Sequence, residues 1–455
     1  MTVAARSPRG RVSVGHIALA VPIIAAVISG RIPVRDNSYL WHVRAGTLQI
    51  ELGRVLTEDP FSFTAAGRAW RTQSWLADLL YGWADRRWGL AVVTPVVLLG
   101  ALLIVGSIAV RNYRLLRSPL AAAVATTWVM WLLIGYFTPR PVLFSLGLLA
   151  LWLVVADDER LRWTLPPLMW LWASIHGGFV LGVGYLILDG LRRRDRRRIV
   201  DVAAVTLVTL FSAHGLGTWQ IVMQFLGNGE ALDLIIEWMT PDLISRELFP
   251  FLLAIVALLV NAIRGRIAMS DLWVIVPFLI FAFTANRSVP LAALVLAPWF
   301  VTSLISLGRK ATASTRFQSR LNAVIMILVI LTPWLVPIKG GLDDELFAVE
   351  AVEHLQAGPL FHDDAVGGFL IYSEWPERLV FIDDRAELYG SLFIDFVEAR
   401  NAGQAWREVF DRYGLEQALL KHDDRLSQVL LAEGWERVFA DDKFVLLSAP
   451  QSEAR

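Results

Sequence analysis

The chain has 455 residues, of which 56% are hydrophobic and only 18% charged, with a formal net charge of zero; soluble domains carry about 25% charged residues. Several apolar runs approach the roughly 20 residues that a helix needs to cross a hydrocarbon core. The composition therefore excludes a soluble globular protein, and the absence of cysteine excludes disulfides, thiolate metal sites and cysteine nucleophiles.

In chain order, apolar stretches at 13–30, 90–110, 119–137, 142–156, 163–176, 178–191, 199–213, 247–263, 270–285, 289–307 and 321–338 predict an α-helical polytopic membrane protein of about eleven transmembrane helices. Arg6, Arg9 and Arg11 precede the first stretch without a small-x-small cleavage site after it, so it reads as a retained signal-anchor. The fifth and sixth are short and broken at His176-Gly177-Gly178. Helices of that length tilt, sit within protein or stop partway through the bilayer.

Every second loop is basic: Arg111, Arg114 and Arg117; Arg160 and Arg162; the arginine-rich run 192–198; Arg264 and Arg266; then Arg309, Lys310, Arg316 and Arg320. The positive-inside rule makes those loops and the N-terminus cytoplasmic. The run 192–198 is thus an orientation signal, and no nucleic-acid partner is expected. The loops 31–89, 138–141, 214–246 and 286–288 then face outward, as does everything after 338. Residues 1–339 form the expected transmembrane part and 340–455 a small extracytoplasmic α/β domain. Its expected strands are Leu360–His362, Leu379–Ile382, Gln417–Leu420 and a hairpin of Arg437–Ala440 with Phe444–Ser448; its expected helices are Ala405–Tyr413 and Asp424–Glu433. No Gly-rich phosphate fingerprint follows a strand.

Ionisable groups near membrane depth are costly and tend to be functional. Here such groups and other polar side chains gather at the outer span ends: Asp36, His42, Arg44, Asp59, Arg71, Arg140, His176, His214, Glu237, Asn286 and Arg287. A carboxylate there can serve as general base, and the planar arginine fork suits a phosphate. Each residue also has a plainer reading. Asp36 suits the N-cap of a helix at Ser38–Leu52, Trp41, His42 and Arg44 an interfacial helix, Arg140 a headgroup anchor, and His176 a buried hydrogen-bonded imidazole. Asp59-Pro60 begins a turn. Asp363, Asp364, Asp383 and Asp384 read as polar strand ends more readily than as a metal site, and the sequence requires no metal or other cofactor.

Several motifs carry a resemblance. Asp36…Trp41-His42-x-Arg44-x-Gly46, Thr57-x-Asp59-Pro60-Phe61-Ser62, Arg71-x-x-Ser74-Trp75-Leu76, Pro139-Arg140-Pro141, Trp172–Gly177, Glu237-Trp238, Asn286–Pro290, Gly367–Tyr372 and Phe381–Arg385 together resemble a bacterial family of polytopic membrane proteins. That family is related to the GT-C-fold glycosyltransferases, including the protein O-mannosyltransferases. The resemblance implies an inverting hexosyltransferase using a polyprenyl-phosphate-linked sugar and acting on an envelope glycan or lipid acceptor. In GT-C enzymes an acidic residue of the first external loop acts as base or helps bind a divalent cation; here that residue is Asp36. Several such enzymes carry two adjacent acids where this chain has Asp36-Asn37. Either one carboxylate suffices, or a second comes from elsewhere, such as Glu237, or the protein is not catalytic. The expected site thus comprises Asp36 and Glu237 as catalytic acids, with Trp41, His42, Arg44, Arg71, Arg140, His176, Asn286 and Arg287 binding substrate. The expectation is a multi-pass plasma-membrane transferase; the competing one is a non-catalytic transporter of lipid-linked glycans or an envelope assembly factor.

Overall fold

The computed structural model describes residues 14–29, 34–227, 236–307, 324, 327, 342–343, 346–404 and 406–450. The expected span 321–338, apart from residues 324 and 327, and the basic residues Arg6, Arg9, Arg11, Arg309, Lys310, Arg316 and Arg320 lie outside the described residues. Three helical stretches are long and apolar enough to cross a bilayer: Trp75–Leu116, Pro119–Tyr136 and Ser288–Leu307. Four shorter apolar helices accompany them, at Gly15–Ile28, Pro141–Ala156, Phe249–Ile263 and Leu272–Ala282.

Helix α1 (Val14–Ser29) packs on α4 (Val93–Leu116) and α5 (Pro119–Leu133), and α4 packs on α6 (Pro141–Ala156). Proline opens both α5 and α6, where its missing N–H costs nothing. The short pair α7 (Leu165–Ile175) and α8 (Phe179–Arg193) breaks at His176–Gly178, and α9 (Arg197–Thr209) packs on both. Then come α10 (Gly217–Gly227), α11 (Phe249–Ile263), α12 (Leu272–Ala282) and α13 (Ser288–Leu307).

The two ends of α6, about 24 Å apart for 16 residues, carry different chemistry. At its C-terminus Asp157 pairs with Arg111 at 3.0 Å and Arg193 at 2.9 Å. Nearby, the fully buried Asp189 takes Arg192, Arg193 and Arg198 at 2.6, 2.9 and 3.0 Å. The arginines that mark orientation in the sequence therefore also neutralise one another's partners in a packed ionic layer. At the N-terminus of α6 stands Arg140.

Between α1 and α4 the chain builds α2 (Asn37–Leu52) and α3 (Trp75–Trp88) rather than an open loop. These two touch backbone to backbone: a Cβ at Gly46 would lie 1.7 Å from the Asp78 carbonyl oxygen, and one at Gly82 would lie 2.3 Å from the Thr47 nitrogen. Gly46→Ala should therefore cost about 3 kcal/mol, the upper end of overpacking penalties, read as a drop in thermal midpoint.

In the C-terminal unit β1 (Leu360–His362) pairs in parallel with β2 (Gln417–Lys421), and β4 (Phe444–Ser448) lies antiparallel between β2 and β3 (Glu436–Ala440). The register sets Phe361 beside Ala418 and Leu419 beside Leu446. Helices α14 (Asp364–Glu374), α15 (Ala386–Tyr389), α16 (Ser391–Arg400), α17 (Trp406–Tyr413) and α18 (Arg425–Ala432) complete it. The expected strand Leu379–Ile382 does not join the sheet. Val380 bridges Ser62 instead, donating to Phe61 O at 2.9 Å and accepting from Phe63 N at 3.1 Å. The turn after Asp59 satisfies this backbone in place of a ladder.

Candidate active site

One cavity of about 1920 Å³ lies where the N-terminal end of α6 meets α2 and the C-terminal unit. Drug-sized pockets run to roughly 1000 Å³, so this one has room for a larger ligand. Of the residues expected at a site, Asp36, Trp41, His42, Arg71, Arg140, His176, Glu237 and Arg287 all line it.

Arg44 and Asn286 do not. Arg44 turns toward the C-terminal unit, where it donates to the Trp375 carbonyl and stacks over the Trp375 ring at 4.8 Å. Asn286 supplies its backbone N–H to Met239 O at 2.9 Å, and Arg287 N reaches Glu237 O at 3.1 Å. These two bonds tie the 237–239 segment to the start of α13.

Three consecutive residues at the head of α2 serve three different partners. Asp36 caps the helix, accepting from Ser38 N at 3.0 Å, and receives Arg140 Nε at 2.7 Å on Oδ1 and 2.6 Å on Oδ2. Asn37 latches α14, its Nδ2 donating to Asp364 O at 3.0 Å and its Oδ1 accepting from Phe369 N at 3.0 Å. Ser38 donates its hydroxyl to Asp384. The latch requires glycine opposite it, because a Cβ at Gly368 would sit 2.3 Å from Asn37 O. An ionised aspartate at 37 could not donate to the Asp364 carbonyl, so this half of the latch needs the amide.

Asp384 also accepts from Trp41 Nε1 at 2.7 Å. Burial pushes its carboxyl above the usual range, and neighbouring Asp383 adds to this against the pull of Arg140. Asp383 has the opposite fate. Burial alone would raise it, but Arg385, donating at 2.8 and 2.5 Å, and Tyr389 Oη at 2.8 Å hold it below the usual carboxylate range. Arg385 in turn pairs with Asp59 at 2.9 Å and lies over the Trp70 ring at 4.4 Å. Asp59 is thus structural, its carboxylate also receiving Ser62 N at 3.0 Å. Sequence reasoning read Asp383 and Asp384 as polar strand ends and left both out of the expected site; nothing local signals which of them Arg385 engages.

His42 Nδ1 lies 2.6 Å from Asp78, whose other oxygen accepts from Thr72, and its ring stacks on Trp41 at 3.6 Å. His176 Nδ1 accepts from Gly178 N at 3.0 Å, so its ring proton sits on Nε2. Arg140 reaches Glu237 at 3.6 Å as well as Asp36, and these anions outweigh the effect of burial and keep it protonated. Arg71 donates to Gln220 at 3.0 Å, and Arg287 lies over the Trp238 ring at 4.5 Å. Neither forms a direct carboxylate ion pair among the described residues, although Glu237 acts on Arg287 through space and favours its charge. The described residues contain no group of three or more His, Asp and Glu arranged to hold a metal ion.

No protein-family model matches the chain, and no curated protein matches it. The fold is similar to the crystal structure of ArnT, a GT-C glycosyltransferase, from Cupriavidus metallidurans in the apo state. The similarity covers 96% of this chain and 98% of that one, with a TM-score of 0.53 at 12% identity. The chain has a GT-C-like fold.

Proposed function

We propose that the chain is a membrane glycosyltransferase that moves a sugar from a polyprenyl-phosphate carrier to an extracytoplasmic acceptor, an envelope glycan or lipid. The observation that carries this reading is the large cavity at one end of an apolar helical bundle, lined by Arg71, Arg140 and Arg287 together with Asp36, Glu237 and Asp384. An anionic leaving group is best met by cations already fixed in position, which makes Arg287 and Arg71, without a direct ion pair among the described residues, and Arg140, oriented by Asp36 and Glu237, its partners. Arg140, held between Asp36 and Glu237, sets the boundary between the cationic and acidic walls. Attack by an acceptor oxygen on the sugar's anomeric carbon breaks the carbon–oxygen bond to phosphate, and the electron pair leaves on the phosphate. A cavity carboxylate takes the acceptor's proton.

Purified full-length protein in lipid nanodiscs, offered synthetic polyprenyl-phosphate-linked mannose, glucose, galactose and arabinose, should release or transfer sugar from at least one. Arg287→Ala should raise the donor KM about 10- to 100-fold, the worth of a hydrogen bond to a charged group. Protein that binds these donors and leaves them intact with every envelope acceptor would instead be a carrier or assembly factor.

A further inference from the structure

The proton acceptor in this reaction has an obvious candidate in Asp36, yet the geometry uses Asp36 for something else. Both of its oxygens are engaged by Arg140, one of them also by the backbone N–H that begins α2, and the residue is only 5% exposed. To take a proton it would have to release the guanidinium. Glu237 is tied to the same cation.

Asp384 stands differently. It faces the same cavity from the C-terminal unit, and its hydrogen-bond partners among the described residues, the Ser38 hydroxyl and the Trp41 indole N–H, are both neutral donors. Its neighbour Asp383 consumes the one adjacent arginine, Arg385. The charged groups near Asp384 are Arg140 from the start of α6, Asp36 from the start of α2 and Asp383 beside it. None forms a direct ion pair with it among the described residues. A carboxylate fixed by two neutral hydrogen bonds is oriented without being neutralised, as a general base requires.

Resting on the transfer reading above, we propose that Asp384 takes the acceptor's proton and that Asp36 is a positioning residue that holds Arg140. In the balanced step the acceptor O–H proton passes to an Asp384 oxygen as the acceptor oxygen bonds to the anomeric carbon. The carbon–oxygen bond to phosphate breaks, and the polyprenyl phosphate departs with the electron pair. The acceptor is accordingly a neutral hydroxyl whose proton must be removed, bound between the acidic wall and the donor.

The test uses the full chain in nanodiscs with the same four synthetic donors. Asp384→Asn should lower kcat by about 100-fold or more at a donor KM within threefold of wild type, and Asp384→Glu should recover part of the rate. Asp36→Asn should mainly raise donor KM. Labelling with 5-fluorotryptophan, with the Trp41 signal assigned by Trp41→Phe, gives a second readout. The Trp41 resonance should titrate above the ordinary aspartate range, and the titration should vanish in Asp384→Asn while the other signals keep their dispersion. Wild-type turnover with Asp384→Asn equally active, or a Trp41 titration that survives that substitution, overturns the proposal alone. A wild type inert toward all four donors overturns the transfer reading and this proposal with it.

Discussion

Arg140→Ala is expected to lower kcat/KM for a polyprenyl-phosphate sugar by about 10- to 100-fold and to cost about 2 kcal/mol of stability. Removing one partner of a buried ion pair costs roughly 3–5 kcal/mol because the other charge is stranded. Here the loss is smaller because Arg140 faces the cavity, with its side chain 35% exposed against 5% for Asp36, and water can enter. Asp36→Asn separates the two duties of Asp36. Asparagine caps a helix as well as aspartate does but gives Arg140 no charge, so stability should fall little while donor affinity falls. Asp36→Ala loses the cap too, worth about 1 kcal/mol more. Steady-state kinetics beside thermal melts decides the matter: equal losses in all three variants would remove the distinction.

Arg385→Met should be the most destabilising change in the C-terminal unit, at about 3–5 kcal/mol. Its guanidinium is 1% exposed and neutralises Asp383 and Asp59, which are both fully buried. It also stacks among Trp41, Phe61 and Trp70. Lysine should fail nearly as badly, since one ammonium cannot span two carboxylates as a planar fork does. Asp383→Asn added to Arg385→Met should restore part of the loss. The same pair fixes an acid response. The Asp383 carboxyl lies below the usual range in the folded state, so its contribution is fully present above about pH 4, the unfolded aspartate value. It disappears as pH falls through the lower folded value. Wild type should therefore lose stability below that window more steeply than the double variant, as melts from pH 7 to pH 3 would reveal.

Much of this was legible in the residues, and the part that was not has a common cause. Apolar length and basic punctuation located the helices, and the concentration of ionisable groups between α1 and α4 marked one wall of the cavity. The N-cap role of Asp36 follows from local chemistry, and the turn at Asp59-Pro60 was equally local. Pairings across the chain were not visible. Arg140 meets Asp36 across 104 positions, and Asp384 meets Ser38 across 346. Arg44 looked equivalent to His42 on the same helix, yet the docked C-terminal unit takes the former and leaves the latter at the cavity. Likewise, Leu379–Ile382 has strand composition, but its backbone pairs with residues 61–63 rather than with the sheet.

The cavity is lined both by residues 36–42 and by residues of the 363–421 segment. During translation these two sets are made at opposite ends of the job. A nascent chain that has completed α13 carries Arg140 and Arg287 but neither Asp384 nor the α14 latch on Asn37. On the proposed reading, an unfinished chain can capture a carrier lipid and cannot discharge its sugar. On the same reading, a stop between the end of α13 and residue 384 leaves the carrier-binding arginines without the proton acceptor.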